Sequence, residues 1–176
     1  VGPAAHPVEQ LRPDSLSRAF RAAALRVLPA IVEIRDTSSE SAIGSGILID
    51  PSGIVLTNHH VVEEAQRPVV QLADGRRFVA QDVKSDPRSD LAILQFDSPV
   101  PLPVAHLGDS NRLQIGDWIL TLGSPLDLRQ TVSAGIISAT GRKLEMAGDV
   151  RLIQTDAAIN PGSSGGALVD LRGEVV

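Results

Sequence analysis

From Ala30 to Val176 the chain is a succession of short apolar runs punctuated by turn residues, and no helical period returns between them. That texture excludes a helical bundle and a βαβ fold, both of which need long amphipathic helices in their core. Ile31 to Ile34, Gly46 to Ile49, Ile54 to Leu56 and Leu91 to Phe96 read as strands of a first group. Asp50-Pro51-Ser52-Gly53 and Ala73-Asp74-Gly75-Arg76 supply its tight turns. Beyond the Pro-rich stretch from Pro99 to Pro103, a second group starts after Gly108-Asp109-Ser110. It holds Trp118 to Leu122, Thr131 to Ala139, Arg151 to Gln154, Ala167 to Val169 and Glu174 to Val176. Two consecutive groups of short antiparallel strands predict two β-barrels or a sandwich.

The aromatic residues are Phe20, Phe78, Phe96 and Trp118, so the core must be built from Val, Ile, Leu and Ala, which suits strands. Trp118 is expected inside it. Ahead of the strands, residues 1–13 form a loose arm with Pro3, Pro7 and Pro13. A helix follows, capped at Asp14 or Ser15, with Leu16, Phe20, Ala23 and Val27 on one face, and Pro29 ends it. The chain therefore divides into an arm and helix (1–29), a first barrel (30–107) and a second barrel (108–176).

A net charge of −5 without a basic block gives no footprint for nucleic acid. The absence of cysteine removes disulfides and thiolate metal sites. No apolar run reaches the ~18 residues of a membrane span. The start at Val1 reads as processed or cropped, which leaves room for a removed anchor or export signal upstream.

The chemistry lies in three places. Asn160-Pro161-Gly162-Ser163-Ser164-Gly165-Gly166 puts serines among glycines just before an apolar strand. Glycines there let backbone N–H groups approach a substrate carbonyl. Thr57-Asn58-His59-His60-Val61-Val62 supplies a candidate base, and Asp86-Pro87-Arg88-Ser89-Asp90-Leu91 a candidate acid. His, then Asp, then Ser is the order of a chymotrypsin-like triad. A G-x-S-x-G nucleophile elbow needs a helix, an acid and a histidine after the serine, and no histidine follows Ser164. A subtilisin order needs an α/β framework that the strand pattern denies. A metal site at His59 and His60 is disfavoured, because neighbours on a strand face opposite ways and no third histidine stands at ligand spacing. Either histidine suits the base on pattern alone. His6 and His106 read as surface residues, and Asp156 as a turn residue near the serines.

TNHHVV, SDLAIL and QTDAAINPGSSGGALVDLRGEVV resemble the three catalytic blocks of the HtrA (Deg) family of serine endopeptidases. GSGILIDPSGIVLTN and GDWILTLGSPLDLRQTVSAGIISATGR resemble its connecting strands. The resemblance runs from about Arg12 to Val176. It implies an all-β, chymotrypsin-like double β-barrel with a short N-terminal helix, the second barrel truncated at the C-terminus. Carried over by position, the base falls on His60, the acid on Asp90 and the nucleophile on Ser164. The residues agree within two of the pairs. Asp86 precedes a proline and opens a turn, whereas Asp90 opens the strand from Leu91, where a carboxylate is shielded. Ser163 is a spacer, because Gly165-Gly166 directly follow Ser164.

The resemblance implies an oxyanion hole from the backbone N–H groups of Gly162 and Ser164. It also implies that Ala157, Ala158 and Ile159 form one wall of the primary specificity pocket, favouring small or medium aliphatic residues. It implies no cofactor and no metal. The expected partners are unfolded or signalling proteins, met outside the cytoplasm in a bacterial periplasm, in stress response or quality control. Family members are typically homotrimers, which makes Leu16 and Phe20 candidate docking residues. A PDZ domain is expected downstream and is absent from these residues. The family usually carries Asn where this chain has Ser163, and the short segment from Asp36 to Ala42 resembles a DegS-like branch. The alternative reading is a catalytically silent peptide-binding or scaffold module that kept the fold.

Overall fold

Strand β1 (Ile31–Asp36) is flanked on both sides, by β2 (Ala42–Asp50) and by β4 (Pro68–Gln71), and its first four residues are all buried. That is why Ile31-Val32-Glu33-Ile34 does not alternate apolar and polar: neither face meets water. The computed structural model describes residues 13–37, 42–124, 130–143 and 150–176. The arm, including His6, and most of the segment between Asp36 and Ala42 lie outside the described residues.

Around β1 and β2 stand β3 (Ile54–Thr57), β5 (Arg77–Val79), β6 (Asp82–Asp86) and β7 (Leu91–Gln95). The seven-stranded sheet runs β5-β4-β1-β2-β3-β7-β6, and its paired strands are antiparallel. Its two edges, β5 and β6, are separated in the chain by Ala80 and Gln81 alone. Two residues span less than about 11 Å, so the edges must approach and the sheet curls on itself. Ala80 N–H donates to Pro68 O of β4 at 2.9 Å and Gln81 N–H to Gln95 O of β7 at 2.8 Å, so the linker is tied to the strand beside each edge.

The second sheet has six strands: β8 (His106–Leu107), β9 (Trp118–Gly123), β10 (Thr131–Arg142), β11 (Leu152–Thr155), β12 (Ala167–Asp170) and β13 (Glu174–Val175). Their order is β11-β10-β9-β12-β13-β8, antiparallel except for the parallel pair of β13 and β8. The long β10 serves two partners in turn, β9 along Thr131–Ile136 and β11 along Ile137–Arg142. The fold is mostly β, a curled-sheet architecture with one N-terminal helix, as the strand pattern predicts.

One core joins both halves. Ile31, Leu48, Val55, Leu94 and Phe96 of the first sheet cluster with Leu120, Leu122, Ala167 and Val169 of the second. Truncating a buried leucine such as Leu94 or Leu120 to alanine costs about 2–5 kcal/mol in cores of this kind. Glu33 is buried in the same region, paired with Arg35 and accepting a bond from Ser124 Oγ at 3.4 Å. The helix α1 (Pro13–Val27) lays Ala23, Ala24 and Val27 on this core and ends at the turn carrying Pro29.

Two expectations change. Trp118 is not a core residue: it opens β9 on its outward side, 43% exposed, with its ring edge-on to Phe20 of α1 at 5.4 Å. His59 and His60 do not sit on a strand. The chain leaves β3 at Thr57 and makes one helical turn, α2 (His59–Val62), which drives Val61 and Val62 into the core. Neighbours on a helix are about 100° apart rather than opposed, so the two rings take different surroundings by a smaller rotation.

Candidate active site

In the first sheet β3 and β7 are neighbours, with Thr57 opposite Ala92. The residues just after β3 and just before β7 therefore emerge side by side, and this brings His60 to Asp90. His60 Nδ1 lies 2.8 Å from Asp90 Oδ2 and 3.1 Å from Oδ1, while the His60 backbone N–H donates to Oδ1 at 3.0 Å. Asp90 reaches this pose with φ at 54°, the left-handed region that a non-glycine residue seldom occupies. Its carbonyl is gripped twice, by Asn58 Nδ2 at 2.8 Å and by the His59 N–H at 3.1 Å.

The pair is half exposed, His60 at 52% and Asp90 at 47% of their side chains, so the expected shielding of the carboxylate by strand β7 is slight. Partial burial pushes the Asp90 carboxyl up. The His60 backbone N–H, the His60 ring and the charges of both histidines outweigh that and hold it below the usual carboxylate value. An imidazole whose Nδ1 faces a carboxylate keeps its proton there and turns the Nε2 lone pair outward.

Ser164 sits in the turn between β11 and β12. Of the five backbone N–H groups from Gly162 to Gly166, three are engaged: Ser163 with Asn160 O (2.9 Å), Gly165 with Asn58 Oδ1 (2.7 Å) and Gly166 with Ser163 O (2.8 Å). Those of Gly162 and Ser164 have no partner among the described residues. The carbonyls are pinned as well. Ser45 Oγ donates to Gly162 O at 2.7 Å, and Ser45 N–H donates to Ser164 O at 2.8 Å. The turn is thus fixed on both sides of the serine, leaving two alternate N–H groups free.

These bonds also tie the serine turn to the segment that carries His60. Gly165 is held by Asn58, two residues before His60, and the Ser164 carbonyl lies against Gly44, which in turn packs on Val61. No hydrogen bond joins Ser164 Oγ to the His60 ring among the described residues. Such bonds are commonly long without substrate and tighten when it binds.

The remaining sequence-level candidates are placed as follows. Asp86 accepts from Arg88 N–H (3.0 Å) and Ser89 Oγ (2.9 Å) within its own turn. Asp156 Oδ1 accepts from Ile136 N–H at 2.7 Å and so fastens the turn to β10. Ala157 is buried against Ile119 and Ile137, whereas Ala158 and Ile159 face outward. Ala158 is held by both backbone ends, its carbonyl by Thr121 Oγ1 and its N–H by Ser133 Oγ. His59 lies 3.9 Å from Glu63, and its buried Nδ1 has no hydrogen-bond partner among the described residues. His106 is exposed. Among the described residues no three His, Cys, Asp or Glu side chains converge as a metal site would need.

Sequence reasoning missed Ser45, Thr57 and Asn58. Ser45 is fully buried, donates through its hydroxyl to Gly162, accepts from Ser124 N–H at 2.9 Å, and gives its carbonyl to Thr57 Oγ1 at 2.7 Å. The available signal was a hydroxyl inside the buried run Gly44-Ser45-Gly46-Ile47, which requires polar partners from elsewhere in the fold.

A family model described as a trypsin-like peptidase domain matches residues 44–176. The chain is 51% identical over 136 residues to a probable periplasmic serine endoprotease DegP-like of Marinomonas sp. (strain MWYL1), which covers 77% of this chain and 29% of that protein. It is 49% identical over 137 residues to the periplasmic serine endoprotease DegP of Escherichia coli (strain K12), with the same two coverages. Among solved structures it superposes on an HtrA-type protease AlgW with tripeptide at a TM-score of 0.83 and 43% identity, over 89% of this chain and 52% of that one. The chain thus spans 29% of the length of these two curated relatives.

Proposed function

The chain belongs to the trypsin-like peptidases, and within them to the HtrA family of serine proteases; from that premise we propose that it is the proteolytic domain of an ATP-independent serine endopeptidase, with Ser164 as nucleophile, His60 as base and Asp90 as acid. The observation that carries the proposal is the conjunction of two held groups that Asn58 links through Asp90 and Gly165. A carboxylate holds an imidazole by Nδ1 at 2.8 Å beside a turn whose serine is pinned on both sides. The free N–H groups of Gly162 and Ser164 alternate around that serine, as a tetrahedral oxyanion requires.

In this mechanism Ser164 Oγ attacks the scissile carbonyl while His60 Nε2 takes its proton. The carbonyl oxygen becomes an oxyanion facing Gly162 and Ser164 N–H. His60 then returns the proton to the leaving amine, and the acyl group stays on Ser164 until water, deprotonated by the same imidazole, releases it. Asp90 fixes the ring and steadies the imidazolium. Loss of one oxyanion donor costs about 2.7–4 kcal/mol in other serine proteases, so the pinning of this turn carries much of the rate. No step needs a cofactor or metal.

The segment Ala157 to Ile159 is proposed as one wall of the primary pocket. Ala158 and Ile159 present apolar surface without a carboxylate, which favours small or medium aliphatic residues over Lys or Arg. The names of the relatives support action in the periplasm, and action there on unfolded or signalling proteins, in stress response and quality control, belongs to the same proposal. The labour divides between residues 30–107, which carry His60 and Asp90, and 108–176, which carry Ser164. Assembly as a homotrimer, with α1 and its Leu16 and Phe20 at the contact, belongs to the same proposal.

Labelling of Ser164 by a fluorophosphonate, with cleavage of an unfolded protein, is the test. Labelling lost in Ser164→Ala supports the reading. A protein that binds peptides yet neither labels nor cleaves would be the silent scaffold instead.

A further inference from the structure

We propose that Asn58 is a positioning residue that ties the acid of the triad to the loop of its nucleophile. The inference rests on the assignment of His60, Asp90 and Ser164 above. Asn58 stands at the N-cap position of α2, where an asparagine ordinarily accepts a bond from the first turn of the helix. Its side chain makes no such cap. It turns away from the helix and spends both ends of its amide elsewhere. Nδ2 donates to Asp90 O at 2.8 Å, and Oδ1 accepts from Gly165 N–H at 2.7 Å.

The two partners are the residue that orients His60 and the residue after Ser164, and they are brought to Asn58 across 32 and 107 positions of chain. Both have a backbone that needs holding. Asp90 is a non-glycine residue at φ 54°, and Gly165 is at φ 79°. Gly165 N–H has no other partner among the described residues. A primary amide suits this place because it offers a donor and an acceptor at fixed separation. Aspartate keeps the shape and the acceptor and loses the donor; alanine loses both.

Asn58 touches neither substrate nor the transferred proton, so its effect passes through Asp90 and Gly165. A misplacement of about 1 Å at a reacting centre can cost on the order of 100-fold in rate. Asn58→Ala is expected to lower kcat by about 10–100-fold with KM changed by less than about threefold.

The deciding measurement is the rate at which a fluorophosphonate labels Ser164, which stays readable in slow variants. It is taken for the parent chain, Asn58→Ala, Asn58→Asp, Asp90→Ala and the Asn58→Ala/Asp90→Ala double variant, each with its thermal midpoint. If Asn58 acts through Asp90, the factor lost to Asn58→Ala shrinks at least about fivefold in the Asp90→Ala background. Asn58→Asp labels slowly at a midpoint near the parent's, because the Nδ2 donor is missing. Equal factors in both backgrounds, or full reactivity in Asn58→Asp, would overturn the proposal even if Asn58→Ala failed to fold. Parent-like labelling by Asp90→Ala would instead overturn the triad assignment on which the proposal stands.

Discussion

Ser45 Oγ and the Gly162 carbonyl oxygen lie 2.7 Å apart, a bond that joins strand β2 to the serine turn across 117 residues of chain. Because Ser45 is fully buried, Ser45→Ala would leave the N–H of buried Ser124 and the carbonyl of half-buried Gly162 without their partner. Expected is a loss of about 1–3 kcal/mol in unfolding free energy by denaturant titration. The turn that presents the Gly162 N–H also loosens, so kcat should fall more than KM rises. Parent-like kcat in a folded Ser45→Ala would remove Ser45 from the support of the oxyanion site.

Ser164→Ala should abolish turnover while leaving the circular dichroism spectrum and thermal midpoint near those of the parent. Removing the nucleophile of a triad costs about 10⁶-fold in kcat elsewhere. Ser163→Ala should keep most of the activity, because the Ser163 bonds in the turn are made by its backbone N–H and carbonyl. Cleavage of an unfolded protein by the two variants decides the register: an active Ser164→Ala beside a dead Ser163→Ala would shift the nucleophile by one.

The pH profile of kcat/KM should show one ionisation on its acid side, with a limiting slope of one. Asp90 is held below its ordinary value and so stays ionised throughout neutral pH, contributing no limb of its own there. The limb that remains is that of a single imidazole, which must be neutral to act as base. It should vanish with the activity in His60→Ala and persist in His59→Ala. Two acid-side ionisations, or greatest activity near pH ~4, would point to paired carboxylates instead.

Gly165→Ala should cost both fold stability and activity. At φ 79° an added Cβ is strained, and it would also meet Ser45 O and Thr57 Oγ1 at 2.2 Å. Neither neighbour has an easy retreat, since Thr57 Oγ1 is already bonded to Ser45 O. A lowered thermal midpoint together with slow fluorophosphonate labelling is the expected outcome, and a normal value of either would show that the turn can yield.

Acid should destabilise the fold through its turns. Hydrogen bonds from Ser52 to Asp50, Arg76 to Asp74, Ser89 to Asp86 and the Asn111 N–H to Asp109 hold all four carboxyls below their ordinary value. A carboxyl depressed in the folded state stabilises it above the unfolded value near ~3.9, and that contribution is lost as pH falls through the folded value. The thermal midpoint should therefore drop between about pH 5 and 2. The gap between Asp74→Asn and the parent, present at neutral pH, should close at the acid end. A gap that widened on acidification would reverse the sign of this coupling.

The strands and the order of the site residues were legible because both rest on local pattern. Ile31 to Ile34 and Leu91 to Phe96 are short apolar runs bounded by turn residues, the local pattern of a strand, and β1 and β7 form there. What escaped is long-range. Nothing near Ser45 announces that its hydroxyl will meet Gly162, and nothing near Asn58 announces that its amide will bridge Asp90 and Gly165. His59 and His60 follow an apolar strand without a break in composition, so the change to a helical turn is set by Val61 and Val62 reaching the core. The pairing of β8 with β13 was equally hidden, since two residues of linker gain their partner from the far end of the chain.

Trp118 is the single tryptophan, the chain has no tyrosine, and its indole rests edge-on against Phe20 where α1 meets β9. The protein therefore carries one intrinsic fluorophore, mounted on the seam between the helix and the second sheet. Release of α1 would strip the phenyl ring from the indole and wet it further, moving its emission to longer wavelength. Stopped-flow fluorescence of the unmodified chain should thus resolve the helix leaving as an optical event separate from global melting.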